Sequence, residues 1–204
     1  MAHLEANVAV PEIPFDERVR LPAARTAVVV VDMQNDFAHP RGALFGEEAE
    51  RAIPRIAEVV ERARAAGARV VYTQDWHGED DPEFAVWGEH ARAGSWGAEI
   101  VDALAPHEGD EVIRKLRYDA FYGTPLDHRL RVLGIEEMVI VGTVANICVL
   151  HTAGSAALRH YGVTLVEDAV GALDPFDQAA TLRQLTFLYR GRVTRAEGLS
   201  FDAS

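Results

Sequence analysis

Cysteine is nearly absent from this chain of 204 residues, in which Cys148 is the single example. One thiol excludes an intramolecular disulfide and any zinc site built from several cysteines. The same scarcity is typical of proteins from reducing compartments, and it predicts a cytoplasmic location. Apolar runs such as residues 27–31 are also short, whereas a membrane-spanning helix needs about 20 apolar residues. Neither a membrane span nor an export signal is therefore expected.

Basic residues are scarce relative to acidic ones. Lys and Arg total 20 against 32 Asp and Glu, which gives a formal net charge of -12. A charge of this sign repels phosphate backbones and anionic lipid surfaces, so neither nucleic acid nor a membrane is expected as a partner. The sequence also lacks a glycine-rich phosphate loop and a G-x-S-x-G pattern. These absences remove support for nucleotide transfer and for the serine-elbow hydrolases.

The chain has the size and composition of one ordinary globular domain, with 49% hydrophobic and 25% charged residues. Residues 1–25 contain Pro11, Pro14 and Pro22 and show no sustained periodicity. We interpret them as an extended N-terminal arm that precedes a domain over residues 26–204.

Short β-branched runs alternate with helical patterns through that domain. Strands are predicted at 27–33, 68–73, 111–114, 138–141, 163–167 and 192–194. Helices are predicted at 53–67, 98–104, 126–133, 146–160 and 177–189, with a long loop at 74–97. This alternation predicts an α/β fold with three layers, in which a parallel sheet of about six strands in Rossmann-like order has helices on both faces.

Four reactive side chains follow or end successive predicted strands, namely Asp32, Asp75, Lys115 and Cys148. Because the carboxyl ends of parallel strands meet at one edge, we expect these groups to converge there. A cysteine at the start of a helix can be a nucleophile, with Asp32 as the base for its proton and Lys115 stabilising both charges. Taken singly, each residue also has a purely structural interpretation, with Cys148 as a small buried side chain, Asp32 as a loop cap and Lys115 as a solvated strand end.

The loop after the second predicted strand holds a mixed set of carboxylates and imidazoles. Asp75, His77, Glu83 and His90 form a donor set suited to a divalent zinc, iron or manganese ion. The alternative is an acidic surface loop with solvated charges. Aromatic residues near the same edge, Phe37, Trp87, Tyr118 and Phe121, can sandwich a flat ligand or simply pack.

Three segments of the chain resemble the signature blocks of the isochorismatase-like cysteine hydrolases. They are VVVVDMQNDF at 28–37, VIRKLRYDAFYGTPL at 112–126 and VGTVANICVLHTA at 141–153. The resemblance covers about residues 25–200 and implies a six-stranded parallel sheet with flanking helices. It also implies a catalytic triad of Asp32, Lys115 and Cys148.

Within this family the metal loop is similar to that of nicotinamidases. The resemblance implies that Asp75, His77, Glu83 and His90 hold one divalent ion, zinc in the first instance, and that the ion binds a pyridine nitrogen. A branch of these enzymes has Glu seven residues before the last His, as Glu83 stands before His90.

The resemblance also concerns the substrate cavity and the oxyanion. It implies that Phe37, Trp87 and Tyr118 surround the substrate ring. It further implies a cis peptide bond between Thr143 and Val144, and an oxyanion hole formed by the backbone N–H groups of Val144 and Cys148. The chain departs from the usual nicotinamidase pattern in having Ala145 and Asn146 where Thr and Asp are common.

The expected activity is hydrolysis of a small carboxamide, with nicotinamide converted to nicotinate and ammonia. The alternatives are another cysteine amidohydrolase that acts on a carbamoyl or maleamate-like amide, and a non-catalytic protein that binds a metal or ligand. Isochorismate hydrolysis is disfavoured because such enzymes of the family generally lack the cysteine. The resemblance further implies a homodimer or homotetramer.

Overall fold

Six parallel strands form the central sheet of the computed structural model, which describes residues 9–203. The strands are β2 (Thr26–Val31), β3 (Arg69–Asp75), β4 (Glu111–Lys115), β5 (Glu137–Thr143), β6 (Gly162–Gly171) and β7 (Arg192–Thr194). Their order across the sheet is β4-β3-β2-β5-β6-β7, which is the Rossmann order. The predicted fold class is confirmed.

Six α-helices accompany the strands in the described part of the chain. They are α1 (Asn35–Ala38), α2 (Glu47–Ala66), α3 (Phe84–Trp87), α4 (Leu126–Val132), α5 (Leu150–Leu158) and α6 (Pro175–Leu188). Helix α2 begins six residues before the predicted start, since its first turn carries Glu47, Glu48 and Glu50 and acidic residues stabilise a helix N-terminus. It ends as predicted at Gly67, which has a φ of 83°.

The alternation of side chains along β2 divides the core into two layers. Val28 and Val30 pack in one cluster with α2, which contributes Ile56 and Val59 among others. Val29, on the opposite side of the strand, packs in a second cluster with residues of α4, α5 and α6. Because both faces are covered, β2 is completely buried, and four of its six residues are valine.

The described part of the predicted arm includes strand β1 (Val19–Pro22), which pairs in parallel with β8 (Leu199–Asp202) in a separate two-stranded sheet. Before β1, the Asp16 N–H donates to the Val193 carbonyl of the central sheet. Residues 1–8 of the predicted arm, and Ser204, lie outside the described residues.

Two predicted helices differ from the structure. The prediction at 98–104 is wrong, because only short 3-10 turns form there, at Trp96–Ala98 and Asp102–Leu104. Between them Ile100 forms an antiparallel bridge with Gln34, which holds the backbone extended. The helix predicted at 146–160 begins with a wide turn at Ala145–Val149 before the regular α5.

Helices α1 and α3 were not predicted.

Among residues 9–203, no helix combines the length and the apolar character needed to cross a membrane.

Candidate active site

The sheet brings Asp32, Lys115 and Cys148 together at the carboxyl ends of its strands. Lys115 ends β4, Asp32 follows β2, and Cys148 lies in the turn after β5. The Lys115 Nζ lies 2.7 Å from Asp32 Oδ2 and 3.6 Å from Cys148 Sγ. The ligand atoms of Asp32, Asp75 and Cys148 all lie within 4.8 Å of one another. The predicted convergence of these groups is therefore present.

Thr73 holds the carboxylate of Asp32 in place. Its hydroxyl donates to Asp32 Oδ1 at 2.6 Å and accepts the Asp32 N–H at 3.2 Å. The other oxygen, Oδ2, is fully buried and has no aligned hydrogen-bond donor among the described residues, although it is ion-paired with Lys115. Thr73 therefore leaves Oδ2 as the oxygen of Asp32 that can accept a proton.

Burial controls the protonation of the three groups. It raises the pKa of Asp32 and of the Cys148 thiol, and in both cases the positive charge of Lys115 opposes the effect only in part. Burial by itself would lower the pKa of Lys115, but the neighbouring carboxylates of Asp32 and Asp75 outweigh it and raise that pKa well above its usual value. The resting site therefore holds an ammonium beside a thiol that keeps its proton until a base removes it.

The turn that carries Cys148 is irregular. It begins after a cis peptide bond between Thr143 and Val144, as the resemblance implies. Within the turn, Ile147 has φ and ψ of -113° and -105°, which are not helical. Thr143, Val144, Ile147 and Cys148 all line one cavity. The sulfur is thus reachable by a small molecule although Cys148 is only 7% exposed.

The four predicted metal ligands lie beside this group, and all four are buried. His77 Nε2 is 3.9 Å from Asp75 Oδ2, and His90 Nε2 is 3.9 Å from Glu83 Oε1. Ligand atoms of Asp75, His77 and His90 all lie within 4.8 Å of one another. Asp75 also reaches the triad, because its Oδ1 accepts from Lys115 Nζ at 2.5 Å.

The arrangement of the two imidazoles fits a divalent metal ion. His77 Nδ1 is 3.0 Å from Asp81 Oδ2, and His90 Nδ1 is 2.8 Å from the Gly88 carbonyl oxygen. With Nδ1 engaged on both rings, the Nε2 atoms are left for a ligand, and His77 Nε2 is buried without a hydrogen-bond partner within residues 9–203. Buried polar atoms in proteins nearly always have a bonding partner, and a metal ion bound at this nitrogen would be that partner. Two imidazoles with two carboxylates suit zinc, iron or manganese.

A cavity of about 240 Å³ joins the two groups. Two members of the triad and three of the predicted metal ligands line it together with mainly apolar and aromatic residues: Asp32, Phe37, Leu44, Phe45, Asp75, Glu83, Trp87, His90, Tyr118, Thr143, Val144, Ile147, Cys148 and Leu173. Phe37, Trp87 and Tyr118, which are predicted to bind the substrate, all line this cavity. Phe121 does not reach the cavity, because it is buried against Tyr161 in the second core cluster.

The lining of this cavity carries no arginine or lysine among the described residues. The charged groups facing it are Asp32, Asp75 and Glu83, with the imidazole of His90 beside them. Lys115 lies behind this surface, with its side chain fully buried and paired with two carboxylates. The cavity therefore suits a neutral ligand better than an anionic one.

Sequence reasoning missed several residues of the site. Thr73 could have been found from strand alternation, since it lies two residues before Asp75 on the same side of β3. Leu44, Phe45 and Leu173 come from loops between elements. No pattern in the sequence indicates that these loops fold over the cavity.

Comparison with known proteins gives consistent matches. Residues 26–197 match the isochorismatase domain. The chain is 36% identical over 187 residues to a ureidoacrylate amidohydrolase of Azorhizobium caulinodans. This match covers 78% of this chain and 82% of that protein.

Two solved structures share the fold over most of their length. N-carbamoylsarcosine amidase from Thermoplasma acidophilum has a TM-score of 0.78 at 41% identity, covering 85% of this chain and 97% of the other. A nicotinamidase from Bacillus subtilis has a TM-score of 0.80 at 29% identity, covering 84% and 100%.

Proposed function

The chain belongs to the isochorismatase family, and on that premise we propose that it hydrolyses nicotinamide to nicotinate and ammonia through a thioester on Cys148. Amide hydrolysis is the reaction that its named relatives have in common, since they are a ureidoacrylate amidohydrolase, a carbamoylsarcosine amidase and a nicotinamidase. The choice among amides rests on the cavity.

The observation that carries the proposal is the character of the cavity wall. Phe37, Trp87 and Tyr118 line the same cavity as Cys148 and three of the predicted metal ligands, and no cationic side chain among the described residues faces it. A pyridine carboxamide is flat and neutral, so its transfer from water into such a space costs less than that of a carboxylate. A substrate with a carboxylate would lack a positively charged side chain to pair with.

The first half-reaction uses the three convergent groups. Asp32 accepts the thiol proton of Cys148, and the ammonium of Lys115 stabilises the charges of both. The sulfur attacks the carboxamide carbon, and the N–H groups of Val144 and Cys148 donate to the oxygen as it gains negative charge. One such donor contributes about 3 kcal/mol. Asp32 then gives its proton to the nitrogen as the C–N bond breaks, and ammonia leaves behind a nicotinoyl thioester.

The second half-reaction regenerates the enzyme. Asp32 accepts a proton from water, whose oxygen attacks the thioester carbon, and the sulfur leaves and recovers that proton from Asp32. A divalent ion held by Asp75, His77, Glu83 and His90, zinc with iron or manganese as alternatives, would supply a Lewis acid for the pyridine nitrogen. The aromatic residues hold the ring so that the carboxamide faces the sulfur.

A second candidate substrate is a carbamoyl amide. It is favoured by the 41% identity to N-carbamoylsarcosine amidase, which exceeds the 29% identity to the Bacillus nicotinamidase. The same three groups, Asp32, Lys115 and Cys148, would act on the carbamoyl carbon.

A panel of amides distinguishes these candidates. Ammonia release is measured for the zinc-loaded protein with nicotinamide, N-carbamoylsarcosine and ureidoacrylate. The proposal predicts the highest kcat/KM for nicotinamide, and a higher value for either carboxylate-bearing substrate would contradict it. If no amide is hydrolysed and Cys148 reacts only slowly with an alkylating reagent at neutral pH, the chain is a non-catalytic binding protein.

A further inference from the structure

Asp81, a carboxylate outside the predicted ligand set, contacts two of the predicted metal ligands, His77 and Glu83. Asp81 Oδ2 is 3.0 Å from His77 Nδ1, and Asp81 Oδ1 accepts the backbone N–H of Glu83 at 2.9 Å. The side chain of Asp81 is only 6% exposed, in contrast to its exposed neighbours Glu79 and Asp80. Asp81 therefore lies directly behind two of the four proposed ligands.

A cation from another element completes this arrangement. Arg117 Nη1 is 3.0 Å and 3.1 Å from the two oxygens of Asp81, and 3.7 Å from Glu83 Oε2. Arg117 stands two residues after Lys115, which in turn contacts Asp75 at 2.5 Å. The end of β4 and the residues just after it thus supply two cations to the predicted metal site. Lys115 pairs with Asp75, and Arg117 pairs with Asp81 and lies near Glu83.

We infer that Asp81 and Arg117 are positioning residues that set the metal affinity of the site. Asp81 accepts the Nδ1 proton of His77, which selects the tautomer with a free Nε2 and makes that nitrogen a better ligand. Through the Glu83 N–H it also holds the second ligand at its place in the loop. Arg117 keeps Asp81 in its orientation and balances a charge that would otherwise be buried beside the carboxylate of Glu83. This inference rests on the metal site of the proposed function.

Asp81→Asn tests the inference, because it removes the charge and keeps the shape. The control is Asp80→Asn, which makes the same change at the preceding, exposed residue. Zinc affinity of the folded proteins is measured by competition with a chelator, and Co²⁺ absorption reports the coordination. Asp81→Asn is expected to bind zinc roughly 10- to 100-fold more weakly than the wild-type protein, while Asp80→Asn binds like the wild type.

Each result bears on one claim. Equal zinc affinity for Asp81→Asn and Asp80→Asn, with tight binding by the wild type, would overturn the positioning role and leave the metal site intact. A wild-type protein that binds no zinc, iron or manganese would overturn the metal site and this inference with it. If Asp81→Asn does not fold, Arg117→Gln replaces it, because Arg117 is 38% exposed in its side chain. This variant is also expected to weaken zinc binding, and unchanged affinity would contradict the inference.

Discussion

The reactivity of Cys148 depends on which oxygen of Asp32 faces the thiol. A single group, the hydroxyl of Thr73, determines which oxygen that is. The hydrogen bond of 2.6 Å from Thr73 to Asp32 Oδ1 keeps the carboxylate from rotating. A hydrogen bond to a charged group contributes about 1.5–3 kcal/mol. The loss of this bond should therefore be visible in the rate of acylation.

Thr73→Val is expected to lower kcat roughly 10- to 100-fold while changing KM little, because it removes the hydroxyl and keeps the side-chain size. Steady-state ammonia release with the best amide of the panel checks this. Thr73→Ser retains the hydroxyl and should restore most of kcat. A kcat in Thr73→Val equal to that of the wild type would show that the hydroxyl does not orient the base.

Burial of Asp32 predicts the acid limb of the pH profile. Since burial raises the pKa of Asp32, the carboxylate becomes protonated at a higher pH than an ordinary aspartate, whose pKa is about 4. A protonated Asp32 cannot accept the thiol proton, so kcat/KM should fall as the pH decreases, with a midpoint above that value. Zinc content is measured at each pH to separate this effect from loss of metal. An unchanged rate down to pH about 4 would exclude Asp32 as the base.

At the scale of elements, the approach of β5 to β2 depends on Gly142. This residue has a φ of 117°, and a Cβ there would overlap the backbone of Val31. Gly142 immediately precedes Thr143 and the turn that carries Cys148. The close contact of the two strands therefore fixes the distance between the base and the nucleophile.

Gly142→Ala is expected to destabilise the protein by about 3 kcal/mol or more, because it combines a disfavoured φ with overlap against backbone. Gly67→Ala is the matched control, since Gly67 also has a positive φ but open space around its Cα, and it should cost about 1 kcal/mol. Urea unfolding gives both values. A similar free energy of unfolding for the two variants would mean that the strands can separate without penalty.

The strands of the central sheet were predictable because segments rich in β-branched residues alternate with helical patterns along the chain. Strands β1 and β8 were not, since each has only four residues and they pair across almost the whole chain. A local pattern carries no information about such pairing. The turn at Ala145–Val149 was predicted as helix for the same reason, because its shape depends on packing at the end of β5.

Some residues of the candidate site could likewise be predicted from the sequence, and others could not. Residues that end or follow a strand, such as Asp32 and Lys115, could be placed from the sequence because topology brings strand ends together. The contact between Asp81 and His77 could not, because it depends on the path of an irregular loop.

The predicted homodimer or homotetramer stays a prediction.

At the scale of the whole molecule, the small β1–β8 sheet joins residues near both ends of the chain to the core layer that contains α2. Leu21 of β1 is 2% exposed in this layer, whereas Cys148 belongs to the layer on the opposite face of the central sheet. Stability contributed by the small sheet should therefore be separable from catalysis.

Leu21→Ala is expected to lower the free energy of unfolding by about 2–5 kcal/mol, as for other buried leucines, and to leave kcat unchanged below the unfolding temperature. Val10→Ala, at a position 53% exposed, should change stability by less than about 0.5 kcal/mol. Chemical unfolding and ammonia release measure the two quantities. A large fall in kcat for folded Leu21→Ala would show that the two layers are coupled.

The whole fold serves to bring a thiol, a carboxylate and an ammonium from distant parts of the chain into contact, and the thiol is the group that forms the covalent bond. The most direct test is the rate of ammonia release by Cys148→Ala, purified with the same metal content as the wild type and with its fold verified by circular dichroism. The covalent mechanism predicts a decrease of more than about 10⁴-fold with every amide that the wild-type protein hydrolyses. Hydrolysis by Cys148→Ala at a rate within tenfold of the wild type would contradict it.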